Sequence, residues 1–154
     1  MKRRCWFECG KDMDERQQLL RGKVFQHTVA LLFVLLMANG LAKSAGVTWA
    51  EGMWENLLIM WAGMALAMYE FILRGIMSVG SRLSRILFPF EGIVGLILTV
   101  GCSYHIFSGG EAMIANGMLT SAGGELIEGC VMLSIGLVFL GRRLYDKGRE
   151  NVEE

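Results

Sequence analysis

The segment ILFPFEGIVGLILTVGCSYHIF, residues 86–107, decides the fold class of this chain. Its only charged side chain, Glu91, lies near its start. A helix crosses the roughly 30 Å hydrocarbon core of a bilayer with about 17–25 mostly apolar residues. The segment therefore predicts a transmembrane helix, although one such run alone also fits a buried helix of a soluble domain.

Three further runs have the same character, at residues 24–41, 56–73 and 126–140. The last is shorter than the others and needs the flanking residues 123–125 and 141–144 to span a bilayer. Hydrophobic residues make up 53% of the chain before its 20 glycines are counted, so too little polar surface remains to cover four such helices in water. We therefore predict an all-α integral membrane bundle of four transmembrane helices.

This bundle is predicted to occupy residues 24–144, between two charged segments. Residues 1–23 form a basic segment in which Asp12 and Glu15 have the spacing of a capping box, which predicts a short helix before the first membrane helix. Residues 145–154 form a second charged segment, and its part after Asp146 is expected to fray.

The number of lysine and arginine residues alternates between high and low in successive segments outside the predicted helices. From the N-terminal segment to the C-terminal one they number seven, one, three, none and four, which accounts for all 15. Short segments rich in these residues stay in the cytoplasm, so both termini are predicted to be cytoplasmic. The connection at 108–124 is then outside, where its partly apolar sequence predicts a short interfacial helix. Zero net charge gives no field that would attract nucleic acid.

A weak internal repeat relates the two halves of the chain. In each half, a glutamate is followed at the same spacings by a glycine, a basic residue and a second glycine. The matching residues are Glu55, Gly63, Arg74 and Gly75 in the first half and Glu128, Gly136, Lys147 and Gly148 in the second. The repeat leaves open an arrangement as two parallel hairpins, although the first and third helices do not keep the offset.

Gly63 also forms a pair of small residues with Ala67, one helical turn later. Small residues at this spacing allow another helix to approach closely in a membrane. The pair predicts close packing on this face of the second helix but does not specify a partner.

Charged side chains at the cytoplasmic ends of the second and third helices form the first candidate site. Ionisable groups inside a membrane are costly and are therefore functional candidates by default. Glu70 and Arg74 share a helical face, and Glu91 lies at a similar depth on the next helix. Because a short connection favours neighbouring antiparallel helices, Glu70 and Glu91 are expected to face each other, with Arg82 or Arg85 nearby. Such a group could bind a cation or relay a proton.

The structural alternative assigns these charges to local stability. Glu70 would pair with Arg74 at the membrane surface. Glu91 follows Pro89, which suits a first helical turn, and an acid there complements the helix dipole.

A weaker candidate site lies at the outer side, where Glu55, His105 and Glu128 are predicted to stand among several acids and a single base, Lys43. A ring of carboxylates can concentrate cations. The alternative is a solvated outer rim without a ligand.

The sequence contains none of the common catalytic or cofactor motifs. It has no Gly-x-Ser-x-Gly, His-Glu-x-x-His, phosphate loop or dinucleotide fingerprint. Its two histidines, His27 and His105, are predicted on opposite sides of the membrane, and Cys5 and Cys9 supply only two of the four ligands of a structural zinc site. We therefore predict no enzyme activity, no cofactor and no metal.

Two short motifs carry a resemblance to a known group of proteins. DERQ at residues 14–17, directly before the first helix, resembles the start of small uncharacterised multi-pass membrane proteins of Gram-positive bacteria, a domain of unknown function. MYEFILRG at residues 68–75 is similar to the close of their first hairpin. The resemblance covers roughly residues 12–76 and implies a bacterial inner-membrane protein, without a mechanism. Cys5 and Cys9 depart from its pattern.

These features favour a small non-enzymatic bacterial inner-membrane protein with a regulatory, accessory or immunity-like role. The alternative is a small transporter or channel subunit whose membrane carboxylates bind a cation or proton. The chain resembles small multidrug exporters in size and helix number, but those carry a key carboxylate deep in the first helix, where this chain has none. The lipid bilayer is a predicted partner, nucleic acid is not, and binding to a membrane or cytosolic protein or to a second copy stays open.

Overall fold

The computed structural model describes residues 15–76 and 82–153. The elements in chain order are α1 (Glu15–Ser44), α2 (Trp54–Leu73), α3 (Arg82–Phe107), β1 (Ile114–Ala115), β2 (Met118–Leu119) and α4 (Ser121–Glu153). All four helices are long and apolar enough to cross a membrane. The predicted all-α fold of four helices is therefore confirmed, and the protein is a multi-pass membrane protein.

The bundle has two ends with different chain segments. At the terminal end α1 begins and α4 ends, and at the loop end lie the α1–α2 and α3–α4 connections. The helices α1 and α2 are antiparallel, because His27 contacts Glu70 at the terminal end and Lys43 contacts Glu55 at the loop end.

The main helix contacts are those of α3 with α4, α1 with α2, and α2 with α4, so the order across the bundle is α1–α2–α4–α3. Trp54 packs on Gly124 at the loop end and Tyr69 bonds Ser134 further along, so α2 and α4 run in the same direction. The two antiparallel pairs thus meet through α2 and α4, as two parallel hairpins would. In the described residues α2 and α3 do not form a main contact, contrary to the expectation from their short connection, because α4 packs against both.

Backbone contact between glycines holds α3 against α4. A Cβ atom on Gly136 would lie 2.7 Å from the Cα of Gly92. A Cβ atom on Gly95 would lie 2.4 Å from the backbone nitrogen of Leu133, and one on Gly129 would lie 2.9 Å from that of Thr99. Because lipid chains are as apolar as leucine, helices in membranes associate through such close van der Waals contact.

The predicted close approach at Gly63 is confirmed. A Cβ atom there would lie 2.6 Å from Cδ2 of Leu32 on α1. The middle of α1 therefore sits directly on the backbone of α2.

A small cluster of buried side chains lies towards the terminal end. Ile72 of α2, Phe88 of α3, and Ile135 and Phe139 of α4 pack together with Ala65. The rings of Phe88 and Phe139 stack with centroids 4.5 Å apart. This cluster joins three of the helices, and α1 does not contribute to it.

Large apolar side chains also cover the outside of the bundle. Phe33 of α1, Ile97 of α3 and Leu137 of α4 are all exposed. In water such surfaces would drive association. On membrane-spanning helices they face hydrocarbon.

The α3–α4 connection differs from its prediction, because it forms a β-hairpin instead of an interfacial helix. Ile114 pairs with Leu119, and Ala115 with Met118. The turn residues Asn116 and Gly117 have φ angles of 53° and 78°, and an Asn-Gly pair is strongly favoured where both central residues of a tight turn need positive φ. That turn breaks the helical pattern of the surrounding apolar residues.

The boundaries of α3 and α4 also extend beyond their predictions. α3 begins at Arg82, so Pro89 lies inside the helix and not in its first turn. α4 continues through both flanks of the short apolar run, as its predicted span required, and then to Glu153. The segment from 147 to 153 is therefore helical, where fraying was expected.

The glycine contacts predict a selective effect of adding a methyl group to α3. Gly95→Ala should lower the free energy of unfolding by about 1–3 kcal/mol, because the new Cβ meets the backbone of α4 and forces the helices apart. Thermal or denaturant unfolding in detergent micelles measures the change.

The matched control is Gly101→Ala on the same helix, where a Cβ atom meets nothing within 4 Å. Alanine is the better helix former, so the control should be neutral or stabilising. Equal destabilisation by the two substitutions would contradict the glycine packing.

Candidate functional site

The loop end of α1 and α2 contains a buried ion pair. Glu55 lies in the first turn of α2, and its side chain is only 2% exposed. Its Oε2 atom lies 2.7 Å from Nζ of Lys43, which is in the last turn of α1. The backbone N–H of Trp49 donates to the other carboxylate oxygen at 3.1 Å. The carboxylate thus has one partner at the end of α1 and one within the α1–α2 connection.

Polar side chains extend this pair into a network, which we call the loop-end cluster (Asn39, Lys43, Trp49, Glu55 and Asn56). The indole N–H of Trp49 donates to Oδ1 of Asn39 at 2.8 Å. Nδ2 of Asn39 in turn donates to Oδ1 of Asn56 at 3.3 Å. Asn39 is buried, so its amide exchanges hydrogen bonds to water for bonds within the protein.

A groove of about 420 Å³ runs between α1 and α2 beside this cluster. Its lining is apolar except for Asn39 and Trp49, whose polar groups bond to each other: Leu35, Ala38, Asn39, Ala42, Trp49, Leu58, Ile59 and Ala62. A second groove, of about 310 Å³, lies between α3 and α4 beside Gly92 and Gly136 and is also apolar. Neither lining contains a carboxylate.

The terminal end of α1 and α2 contains a second group, which we call the terminal-end cluster (His27, Glu70 and Arg74). The Arg74 guanidinium lies 3.0 Å from Oε2 of Glu70, so the predicted pair on one helical face is present. Nδ1 of His27 on α1 lies 2.8 Å from the other carboxylate oxygen. Glu70 therefore joins two helices, and the histidine was not predicted as its partner.

The structure does not bring Glu70 and Glu91 into one group of described contacts. Glu91 is half-buried on α3, which packs on α4, whereas the partners of Glu70 lie on α1 and α2. The side chains of Arg82 and Arg85 lie outside the described residues, so their predicted role in this site stays a prediction.

The three outer candidates have different neighbours. Glu55 belongs to the loop-end cluster, whereas Glu128 is half-buried on α4. His105 is exposed near the end of α3, and its ring lies against Gly110. Among the described residues no group of three histidine, cysteine or acidic side chains is arranged to hold a metal ion.

Sequence reasoning missed most of the loop-end cluster. Asn39 and Lys43 are one turn apart near the end of α1, and Glu55 and Asn56 lie in the first turn of α2. Two polar residues on each side of a short connection indicate that the four side chains meet. The role of Trp49 had no such signal, because it depends on the fold of the connection.

The buried pair predicts an unequal response to removing its two charges. Lys43→Met should lower the unfolding temperature more than the double variant Lys43→Met/Glu55→Gln, because the single variant leaves a carboxylate buried without its cation. Thermal unfolding in micelles gives the ranking.

Glu51→Gln is the control, since Glu51 is an exposed acid in the same connection and should have almost no effect. A double variant less stable than Lys43→Met would show that the pair is not coupled in this way.

Comparison with known proteins adds no family to this description. No protein-family model, no curated protein and no solved structure matches the chain. Its resemblance to the DERQ proteins therefore stays a prediction.

Proposed function

We propose that this chain is a small non-enzymatic protein of the bacterial cell membrane with a regulatory, accessory or immunity-like role. It acts through contacts of its helices and charged terminal segments with another protein of the membrane or cytosol. The bacterial location is supported by the motifs at 14–17 and 68–75, and the cytoplasmic placement of both termini by the distribution of basic residues.

One observation carries the proposal: the α2 carboxylates are engaged by cations, while the grooves contain no carboxylate. Glu55 is paired with Lys43, and Glu70 with Arg74 and His27. A transporter of cations or protons needs a carboxylate that faces a water-filled path between helices. Here the α1–α2 groove and the α3–α4 groove are both apolar, which favours contact functions over transport.

Transport remains the second candidate because of Glu91 and Glu128. Both are half-buried on membrane-spanning helices, and neither has an ion-pair partner among the described residues. Intramembrane carboxylates of this kind mark ion pathways in many transporters.

Reporter fusions test the proposed orientation. Fusions after Arg21 and Lys147 should report a cytoplasmic location, and fusions at Gly46 and Asn116 an external one, because basic segments are retained inside. A cytoplasmic signal at Asn116 would overturn the orientation.

A flux measurement separates the two functions. Purified protein in liposomes should give no proton or monovalent-cation flux that depends on Glu91 or Glu128, and Glu91→Gln and Glu128→Gln should support the same cellular phenotype as the native chain at equal protein level. Fluorescent pH and cation indicators inside the liposomes provide the readout.

The exposed Glu51 supplies the matched control, as Glu51→Gln changes one acid outside the helices. A flux present in the native chain and in Glu51→Gln, but lost in Glu91→Gln or Glu128→Gln, would establish transport and exclude the accessory role.

A further inference from the structure

Both helices that reach beyond the bundle at the terminal end carry a stripe of exposed basic and leucine side chains. On α1, Arg16, Leu19 and Lys23 stand at spacings of three and four residues and share one helical face. All three are exposed, with Leu19 at 71%.

The second stripe lies on α4 and has the same spacing of basic and leucine residues. Leu140, Arg143, Leu144 and Lys147 share one face at spacings of three and four residues. Each is exposed, and Leu144 reaches 70%. We call the two stripes together the basic–leucine surface.

Contacts with α2 place both stripes at the same depth. His27 reaches Glu70 one turn before α2 ends, so Lys23, one turn earlier on the antiparallel α1, lies level with the end of α2. On α4, the Arg142 guanidinium lies 3.9 Å from the Cβ position of Gly75, just after that end. The stripes therefore begin where the membrane-spanning part of α2 stops.

The charge on these stripes is not neutralised within the described part of the protein. Glu70 forms an ion pair with Arg74, and Asp146 forms one with Arg142. By contrast, Arg16, Lys23, Arg143 and Lys147 have no ion-pair partner among the described residues. At the loop end the arrangement is reversed, because the base Lys43 is paired and the acids Glu51, Glu111 and Glu125 are exposed.

We propose that the basic–leucine surface binds the headgroups of anionic phospholipids. Leucines insert among the upper parts of the acyl chains while the neighbouring bases contact lipid phosphates, the combination that holds amphipathic basic helices at a membrane surface. The continuity of both stripes with membrane-spanning helices favours a lipid over a soluble acidic partner, because lipid headgroups already surround this level of α1 and α4.

Spin-labelled lipids test the proposal with the full-length protein in phosphatidylcholine bilayers. The native chain should bind spin-labelled phosphatidylglycerol in preference to spin-labelled phosphatidylcholine, and removing one base should lower the relative association constant by up to about fivefold at low salt. The fourfold variant Arg16→Gln/Lys23→Gln/Arg143→Gln/Lys147→Gln should lose the preference. Identical lipid in both leaflets makes the result independent of the orientation proposed above.

Two controls make the result specific. Glu51→Gln changes a charge at the opposite end and should leave the preference unchanged, as should the charge-keeping variant Arg16→Lys/Arg143→Lys. Helical content by circular dichroism checks folding, and Lys23→Gln and Lys147→Gln replace the fourfold variant if it unfolds. The assignment to lipid would be overturned if the neutralised variants kept the preference or if the native chain showed none. It would also be overturned if millimolar inorganic phosphate abolished the preference of the native chain.

Discussion

A carboxylate inside a bilayer needs a cation in contact with it, and in this protein that requirement holds α1 against α2. The main contact of α1 is with α2, and α1 adds nothing to the buried cluster shared by the other three helices. It is bridged to α2 at both ends, by Lys43 to Glu55 and by His27 to Glu70. Breaking the pair of Lys43 with the buried Glu55 is costly, because the remaining carboxylate stays desolvated, whereas the His27–Glu70 contact is partly exposed. The carboxylates that first suggested ion binding thus have a structural use.

The other half of the bundle is held by a different interaction. Gly92, Gly95, Gly129 and Gly136 bring the backbones of α3 and α4 into contact, which gives dispersion attraction without an ion pair between these two helices in the described residues. The helices α2 and α4 then join the two pairs through Ile72, Ile135 and Phe139. The α1–α2 pair also has a close contact, of Leu32 on the backbone at Gly63. The polar bridges at its two ends respond to charge and to their surroundings more than backbone contact does, so α1 is the helix whose position another protein or the lipid could most readily change. This division fits an accessory role in which α1 and the charged terminal segments make the external contacts.

Most of the fold could be predicted from the sequence, because bilayer thickness imposes a length and composition that four runs of this chain satisfy. The pair of Glu70 with Arg74 was also predictable, since helical spacing alone places the two side chains together. The order of the helices could not be predicted from the sequence. It depends on which side chains and backbones fit against the glycines, and it places α2 beside α4. For that reason the spacing of Glu70 and Glu91 along the chain predicts a meeting, whereas in the described residues the main contacts of α2 and of α3 are both with α4 or α1 and not with each other. The apolar residues around Asn116 and Gly117 favour an interfacial helix, but both turn residues have positive φ, which suits a hairpin and not a helix.

Pulsed electron resonance between spin labels, in a cysteine-free background reconstituted into bilayers, tests most directly whether the α2 carboxylates hold α1 in place. Labels at the exposed Phe33 of α1 and Ile97 of α3 report the position of α1, and labels at the exposed Met60 of α2 and Ile97 report the rest of the bundle. In Glu55→Gln/Glu70→Gln the α1–α3 distance distribution should broaden or shift while the α2–α3 distribution stays as in the native chain. An unchanged α1–α3 distribution would contradict the account, and equal broadening of both would show that these carboxylates stabilise the whole bundle and not the α1–α2 contact.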